Sequence, residues 1–286
     1  MEVSTFLDLA CENFEEENST DKNKIWKSSS GNLQIRWGED KIHKHYAVFF
    51  TEPIWRMCDE SFFEVREKLS QELYSFLFCD GINRAKGQAH LLVAGLGNPK
   101  MTADALGAEV VDRIAVTRKM EGIKNADPSV SAVSLGVVGT TGIESFEHLD
   151  ALCGYLKPNV VLVVDALSAK SQARIGATIQ ISTGGISPGA GVGNSQKSLC
   201  RETLGVPVVS LGVPMVVRSS VIVREAMNAL GVEFSKDENG FSTQDSFFMM
   251  PKEGDLILRN AAVLLASAIN RACDFSFQSS HRSEAP

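Results

Sequence analysis

Residues 91–111 read LLVAGLGNPKMTADALGAEVV, and this stretch determines the type of fold. A short apolar run ends in a glycine turn, and apolar residues such as Leu106 and Val110 then follow at helical spacing. This order is typical of a buried strand that leads into a crossover helix. We therefore predict a strand at 91–97 and a helix at 103–119.

Short apolar runs and amphipathic stretches keep alternating toward the C-terminus. Pro158 ends one amphipathic stretch, shortly before the β-branched run VVLVVDA. The alternation predicts an α/β fold with a mostly parallel sheet and helices on both faces. The predicted strands lie at 131–139, 160–166 and 206–213, and the predicted helices at 143–157, 219–231 and 251–274.

The chain is interpreted as one domain over residues 1–286. We expect residues 1–85 to extend the sheet, residues 88–231 to form the α/β core, and residues 250–275 to contain a C-terminal helix. Strands at 32–38 and 45–52 and a helix at 53–78 are predicted in the N-terminal part. The segment 176–196 is rich in glycine, serine and proline, and we expect a long ordered loop there.

Composition excludes several classes of protein. The 286 residues include 28 Lys and Arg against 35 Asp and Glu, and the net charge of −7 argues against a nucleic-acid surface. The apolar runs are too short to span a membrane, and the N-terminus lacks the pattern of a signal peptide. The six cysteines contain no C-x-x-C pair, which favours a reducing, cytoplasmic location.

Two acidic residues are the candidates for chemistry. Asp104 follows the glycine turn, and Asp165 closes the apolar run VVLVVDA. In a parallel sheet, ligands bind at the carboxyl ends of the strands, and burying a carboxylate costs several kcal/mol unless it is paired. If the two strands are neighbours, the carboxyl groups converge and share a proton, which is the arrangement needed to activate a water for hydrolysis.

Other interpretations of these residues stay open. Asp104 also suits the first turn of a helix, where acidic residues are favoured. The turn GLGNPK has Lys100 where a dinucleotide-binding fingerprint has glycine, so Gly95 and Gly97 also fit a simple tight turn. No serine elbow or metal-ligand pattern accompanies the five histidines, so neither a metal nor a cofactor is expected.

Six motifs resemble the germination (spore) protease family in the same order. They are GLGNPKMTADALG, GVVGTTGIES, VVDALSAKS, TIQISTGGISPGAGVGN, RETLGVPVVSLGVP and MMPKEGD. The resemblance implies an endopeptidase that degrades small acid-soluble spore proteins during germination in the spore core. It also implies a zymogen, a homotetramer, and a three-layer phosphorylase/hydrolase-like fold related to that of hydrogenase-maturation endopeptidases.

The family motifs also imply particular site residues. The two aspartates proposed as catalytic in the family fall on Asp104 and Asp165, the residues already selected above. Backbone and side-chain groups of the remaining motifs are expected to hold an extended peptide. The substrate-binding residues implied in this way are Gly97, Asn98, Thr141, Gly142, Glu144, Lys170, Thr178 and Gly193.

The chain departs from the family pattern at several positions. Lys170 stands where the family usually has arginine, and Gly184 and Ser187 stand where an acid and a histidine are frequent. Only about four residues precede TFLDLACE, which resembles the maturation cleavage site, so we expect little or no propeptide or a different regulation. A non-catalytic peptide-binding relative and a metal-dependent maturation-type peptidase are the alternatives.

Overall fold

The computed structural model describes residues 26–30, 33–38, 46–78, 89–119, 128–189, 196–232 and 247–274. Within these ranges the chain forms a nine-stranded sheet in the order β1-β2-β3-β7-β8-β6-β4-β5, with β9 paired to β8. The strands are β1 (Trp26–Ser30), β2 (Leu33–Gly38), β3 (Tyr46–Phe50), β4 (His90–Leu96), β5 (Ser129–Gly136), β6 (Val160–Ala169), β7 (Thr178–Ser182), β8 (Val208–Arg218) and β9 (Phe248–Met249).

The sheet has a parallel core. Strands β8, β6, β4 and β5 run parallel, whereas β1, β2, β3 and β7 extend the sheet with antiparallel pairs. Strands β4, β6 and β8 are mostly apolar and buried because both of their faces are covered, whereas β5 is partly exposed. The α/β fold class expected from the sequence is confirmed.

Helices cover both faces of the sheet. One face packs side chains of α1, α2 and α7 against alternate β6 residues such as Leu162, and the other packs α4 and α5 against residues such as Val163. The helices are α1 (Asp59–Phe78), α2 (Leu106–Val111), α3 (Val138–Thr141), α4 (Ser145–Leu156), α5 (Arg201–Leu204), α6 (Ser219–Ala229) and α7 (Gly254–Ala272).

Two of the predicted elements differ most from the structure. The helix expected over 103–119 covers only Leu106–Val111, because residues beyond it bond elsewhere: Asn270 of α7 donates to the Arg113 carbonyl at 3.0 Å and accepts from the Ala115 N–H at 2.9 Å. The loop expected over 176–196 contains strand β7.

Strand β7 forms because its side chains alternate. Ile179 and Ile181 are fully buried in the core on one face, whereas Thr178, Gln180 and Ser182 are buried on the other. Strand β7 lies between β3 and β8, so both of its backbone edges are paired.

Helix α2 lies directly on the sheet backbone because glycines face each other. A Cβ at Gly95 would lie 2.2 Å from the Gly107 carbonyl oxygen, and a Cβ at Gly107 would lie 2.4 Å from the Leu96 backbone and 2.6 Å from the Val164 carbonyl oxygen. The contact therefore joins α2 to both β4 and β6.

Gly107→Ala tests this close approach. The added methyl group meets backbone atoms that cannot move aside, so we expect a loss of about 3 kcal/mol in the free energy of unfolding. The matched control is Gly154→Ala in α4, where an added Cβ meets nothing within 4 Å. That change is expected to stabilise the protein by up to about 1 kcal/mol, because alanine favours helix. Urea titrations of both variants measure the difference, and equal stabilities would contradict the prediction.

Candidate functional site

The candidate site lies where β4 ends. Gly95 of β4 pairs with Val164 of β6, so the last β4 residue, Leu96, is level with Asp165. Strand β6 does not end at Asp165, contrary to the sequence-based expectation, because residues 166–169 continue to pair with β8. Beyond the level of Asp165, β6 therefore continues where its neighbour β4 has stopped. The sheet is therefore open beside Asp165 at the C-terminal end of β4, and this place is the sheet edge at which the site lies.

The turn that carries Asp104 occupies this edge. Residues Thr102–Asp104 form a single 3-10 turn that contacts β6, β8 and α7. The Asn98 N–H donates to Asp104 Oδ2 at 2.8 Å, and a Cβ at Gly97 would lie 1.9 Å from the Asp104 carbonyl oxygen. Gly97, whose φ is +93°, therefore allows the chain to fold back onto Asp104.

Asp104 caps no helix with its side chain, since the helix N-cap is Ala105 and no side-chain cap bond forms there. The Asp104 carboxyl is half-buried. This burial raises the pKa of Asp104, and the hydrogen bond from Asn98 only partly opposes the shift. Asp104 is therefore poised to keep a proton at a higher pH than an ordinary aspartate.

Asp165 is more deeply buried, with 8% of its surface exposed. The Ala166 N–H donates to Asp165 Oδ1 at 2.9 Å. The side chain lies on the sheet face covered by α4 and α5, because it follows Val161 and Val163 in the alternation along β6. The turn of Asp104 contacts α7 on the other face, so the two aspartates flank the level where β4 ends from opposite faces of the sheet.

The loop after β5 provides further residues at the same edge. Thr141 accepts a hydrogen bond from the Ile143 N–H at 3.1 Å, Gly142 ends α3 with a φ of +72°, and the Glu144 N–H donates to Glu147 Oε2 at 2.9 Å. Thr141 and Gly142 are exposed, and Glu144 is the N-cap of α4. Strand β5 is the parallel neighbour of β4, so this loop lies at the same end of the sheet as the turn of Asp104.

The remaining predicted residues fall into three different positions. Lys170 follows the end of β6, where its carbonyl oxygen accepts from Arg224 Nη2 at 3.2 Å. Thr178 is not in a loop but begins β7, and its hydroxyl is buried without a hydrogen-bond partner among the described residues. Gly193 lies outside the described residues.

One polar residue at this level was missed by the sequence analysis. Asp165 of β6 and Gln180 of β7 both pair with Gly212 of β8, so the two side chains lie on the same sheet face at the same level. Gln180 is 6% exposed. The alternation in TIQIS is the signal that predicts a strand here, but the surrounding glycines favoured a loop.

The described residues contain no group of three or more His, Cys, Asp or Glu side chains arranged to hold a metal ion. None of the described helices has both the length and the apolar character needed to cross a bilayer. Fold and site together define an α/β protein with two aspartates at the level where the parallel strand β4 ends.

Comparison with known proteins gives the family. The sequence profile described as germination protease matches residues 12–244. A germination protease from Caldanaerobacter subterraneus subsp. tengcongensis is 35% identical over 238 residues, or 73% of each chain. A germination protease from Clostridium acetobutylicum is 32% identical, and the match covers 82% of this chain and 81% of that protein. A germination protease from Geobacillus sp. (strain WCH70) is 40% identical, and the match covers 61% of this chain and 47% of that protein. The chain belongs to the germination protease family, which is a family of peptidases.

A NiFe hydrogenase maturation protease from Thermococcus kodakarensis is similar in structure. It is 19% identical in sequence, its TM-score is 0.37, and the match covers 66% of this chain and 97% of that one.

Asp104→Asn tests the electrostatics of the site. Burial raises the pKa of Asp104 in the folded protein, so folding is disfavoured as the pH rises from the ordinary value of 3.8 through the folded pKa. The asparagine oxygen still accepts from Asn98, and we therefore expect the variant to be more stable than the native protein at pH 7.

The gain in stability should disappear below pH 4, because the native Asp104 carboxyl is then protonated and is as neutral as the amide of the variant. Chemical denaturation at several pH values measures it, with exposed Asp112→Asn on the same segment as the control. A variant that is less stable than the native protein at pH 7 would show that the hydrogen bond outweighs burial.

Proposed function

We propose that this protein is an endopeptidase that cleaves small acid-soluble spore proteins through water activated by Asp104 and Asp165. Family membership supports the peptidase activity and the role in germination. The observation that carries the mechanism is that both carboxylates lie at the edge where β4 ends, one on β6 and one in the turn after β4. The spore core is the location that the proposed substrate requires.

The two carboxylates suit different steps of amide hydrolysis. A general base must be ionised and a general acid must be protonated at the working pH. Burial raises the pKa of Asp104, which favours Asp104 as the protonated general acid. Asp165, with an N–H donated to one of its oxygens, then takes the proton of the attacking water. The proton on Asp104 passes to the leaving amine.

Backbone groups at the same edge suit an extended peptide. Residues 138–143 after β5 are exposed at the same end of the sheet as the turn of Asp104, and Met101 and Ile143 are exposed apolar side chains on these two segments. Peptide substrates present both amide groups and apolar side chains, so these segments are proposed to bind residues next to the cleaved bond. Tetrameric assembly and synthesis as a zymogen are proposed from the family resemblance.

Cleavage assays with a purified small acid-soluble spore protein test the proposal. We expect Asp104→Asn and Asp165→Asn each to lower the rate at least about 100-fold, because each removes one proton-transfer group. Exposed Asp112→Asn should retain native activity, and circular dichroism checks that each variant is folded.

Three outcomes would contradict the proposal. Full activity in either variant removes that aspartate from the mechanism. Binding of the spore protein without cleavage by the native protein indicates a non-catalytic relative. Loss of activity on chelation, with rescue by one divalent ion, indicates a metal-dependent peptidase.

A further inference from the structure

The turn of Asp104 is hydrogen-bonded to the C-terminal helix. Thr102 Oγ1 donates to Asp255 Oδ1 at 3.0 Å, and Asp255 lies in the first turn of α7. Thr102 and Asp104 belong to the same three-residue turn. We propose that Asp255 is a positioning residue for Asp104. This proposal rests on the proposed function of the aspartate pair.

The other hydrogen bonds of the turn are local. Met101 N–H donates to the Asn98 carbonyl at 3.0 Å, Asp104 N–H donates to the Met101 carbonyl at 2.8 Å, and Asn98 N–H donates to the Asp104 carboxylate at 2.8 Å. These bonds set the internal shape of the turn. They do not determine where the turn lies relative to β6, because each joins residues within 98–104.

The bond to Asp255 joins the turn to a rigid part of the fold. Thr102 and Asp255 are 153 residues apart in the chain. One face of α7 is buried in the core against α1, α2 and the sheet, including Ile257 two residues after Asp255. A packed helix of 19 residues is a fixed support, so the bond holds the Asp104 turn at one position over the sheet edge.

The residues before α7 place Asp255. A Cβ at Gly254 would lie 2.4 Å from Met250 Cε, so glycine lets the Met250 side chain lie across the start of the helix. Gly254 N–H donates to the Pro251 carbonyl at 3.0 Å, and Ile257 N–H to the Glu253 carbonyl at 2.9 Å. The motif MMPKEGD thus fixes the first helical turn. The role of the MMPKEGD motif is then to place Asp255 where it accepts the hydrogen bond from Thr102.

The opposite end of α7 offers a matched control. Asn270 bonds to the backbone of Arg113 and Ala115 at the far end of α2. Asp255 and Asn270 therefore both attach α7 to the chain that follows β4, but only the Asp255 bond reaches the Asp104 turn. Asn270→Ala removes an attachment of α7 without touching that turn.

Steady-state kinetics of the full chain on a small acid-soluble spore protein test the proposal. We expect Thr102→Val and Asp255→Ala each to lower kcat roughly tenfold while KM stays within about twofold, because a displaced Asp104 slows chemistry but not binding. Their double variant should lose no more than either single one, since both remove the same bond. Thr102→Ser keeps the hydroxyl and should restore kcat, and Asn270→Ala should lower thermal stability only.

Amide hydrogen exchange at Asn98 gives a readout that does not depend on activity. Exchange should be faster in Thr102→Val and Asp255→Ala than in the native protein, and unchanged in Asn270→Ala. If the native protein fails to cleave, or Asp104→Asn stays active, the proposed function is wrong, while exchange at Asn98 still reports whether Asp255 holds the turn. Native exchange and kcat in Asp255→Ala, or additive losses in the double variant, would overturn the positioning role.

Discussion

The contact between Gly95 and Gly107 is the constraint on which the site depends. Neither residue has a side chain, so α2 lies against the backbones of both β4 and β6. Because α2 lies so close to the sheet, the chain between β4 and α2 has little room. It therefore turns tightly at Gly97 and Asn98 and again at Thr102–Asp104. A bulkier contact would lift the helix and carry the Asp104 turn away from the sheet edge.

Two buried or half-buried aspartates lie at the same level of the sheet. The pKa of Asp104 is raised by burial, and Asp165 is almost completely covered. Burying a carboxylate is costly, and carboxyl groups with shifted pKa values are typical of functional sites, so two aspartates at this level favour a functional role. Titratable groups with shifted pKa values are more frequent at functional sites, and the peptidase family of the chain agrees with this interpretation.

Sequence patterns predicted most of the core and missed what depends on distant partners. Apolar runs predicted β4, β6 and β8, since such runs are buried on both faces of a parallel sheet. Strand β7 was missed because its alternation is short and lies among glycines. The length of α2 was overestimated, because the helical pattern continues past Val111 while Asn270, far along the chain, captures the backbone that follows.

The sequence by itself determined the fold class, the family and the choice of Asp104 and Asp165, because apolar periodicity and ordered motifs are local properties of the chain. Only the tertiary structure decided that Asp165 lies inside β6 rather than at its end, that Gln180 lies level with it across Gly212, and that Asp255 bonds to the turn of Asp104. These relations join residues far apart in the chain. They depend on strand register and helix packing, which no local pattern specifies.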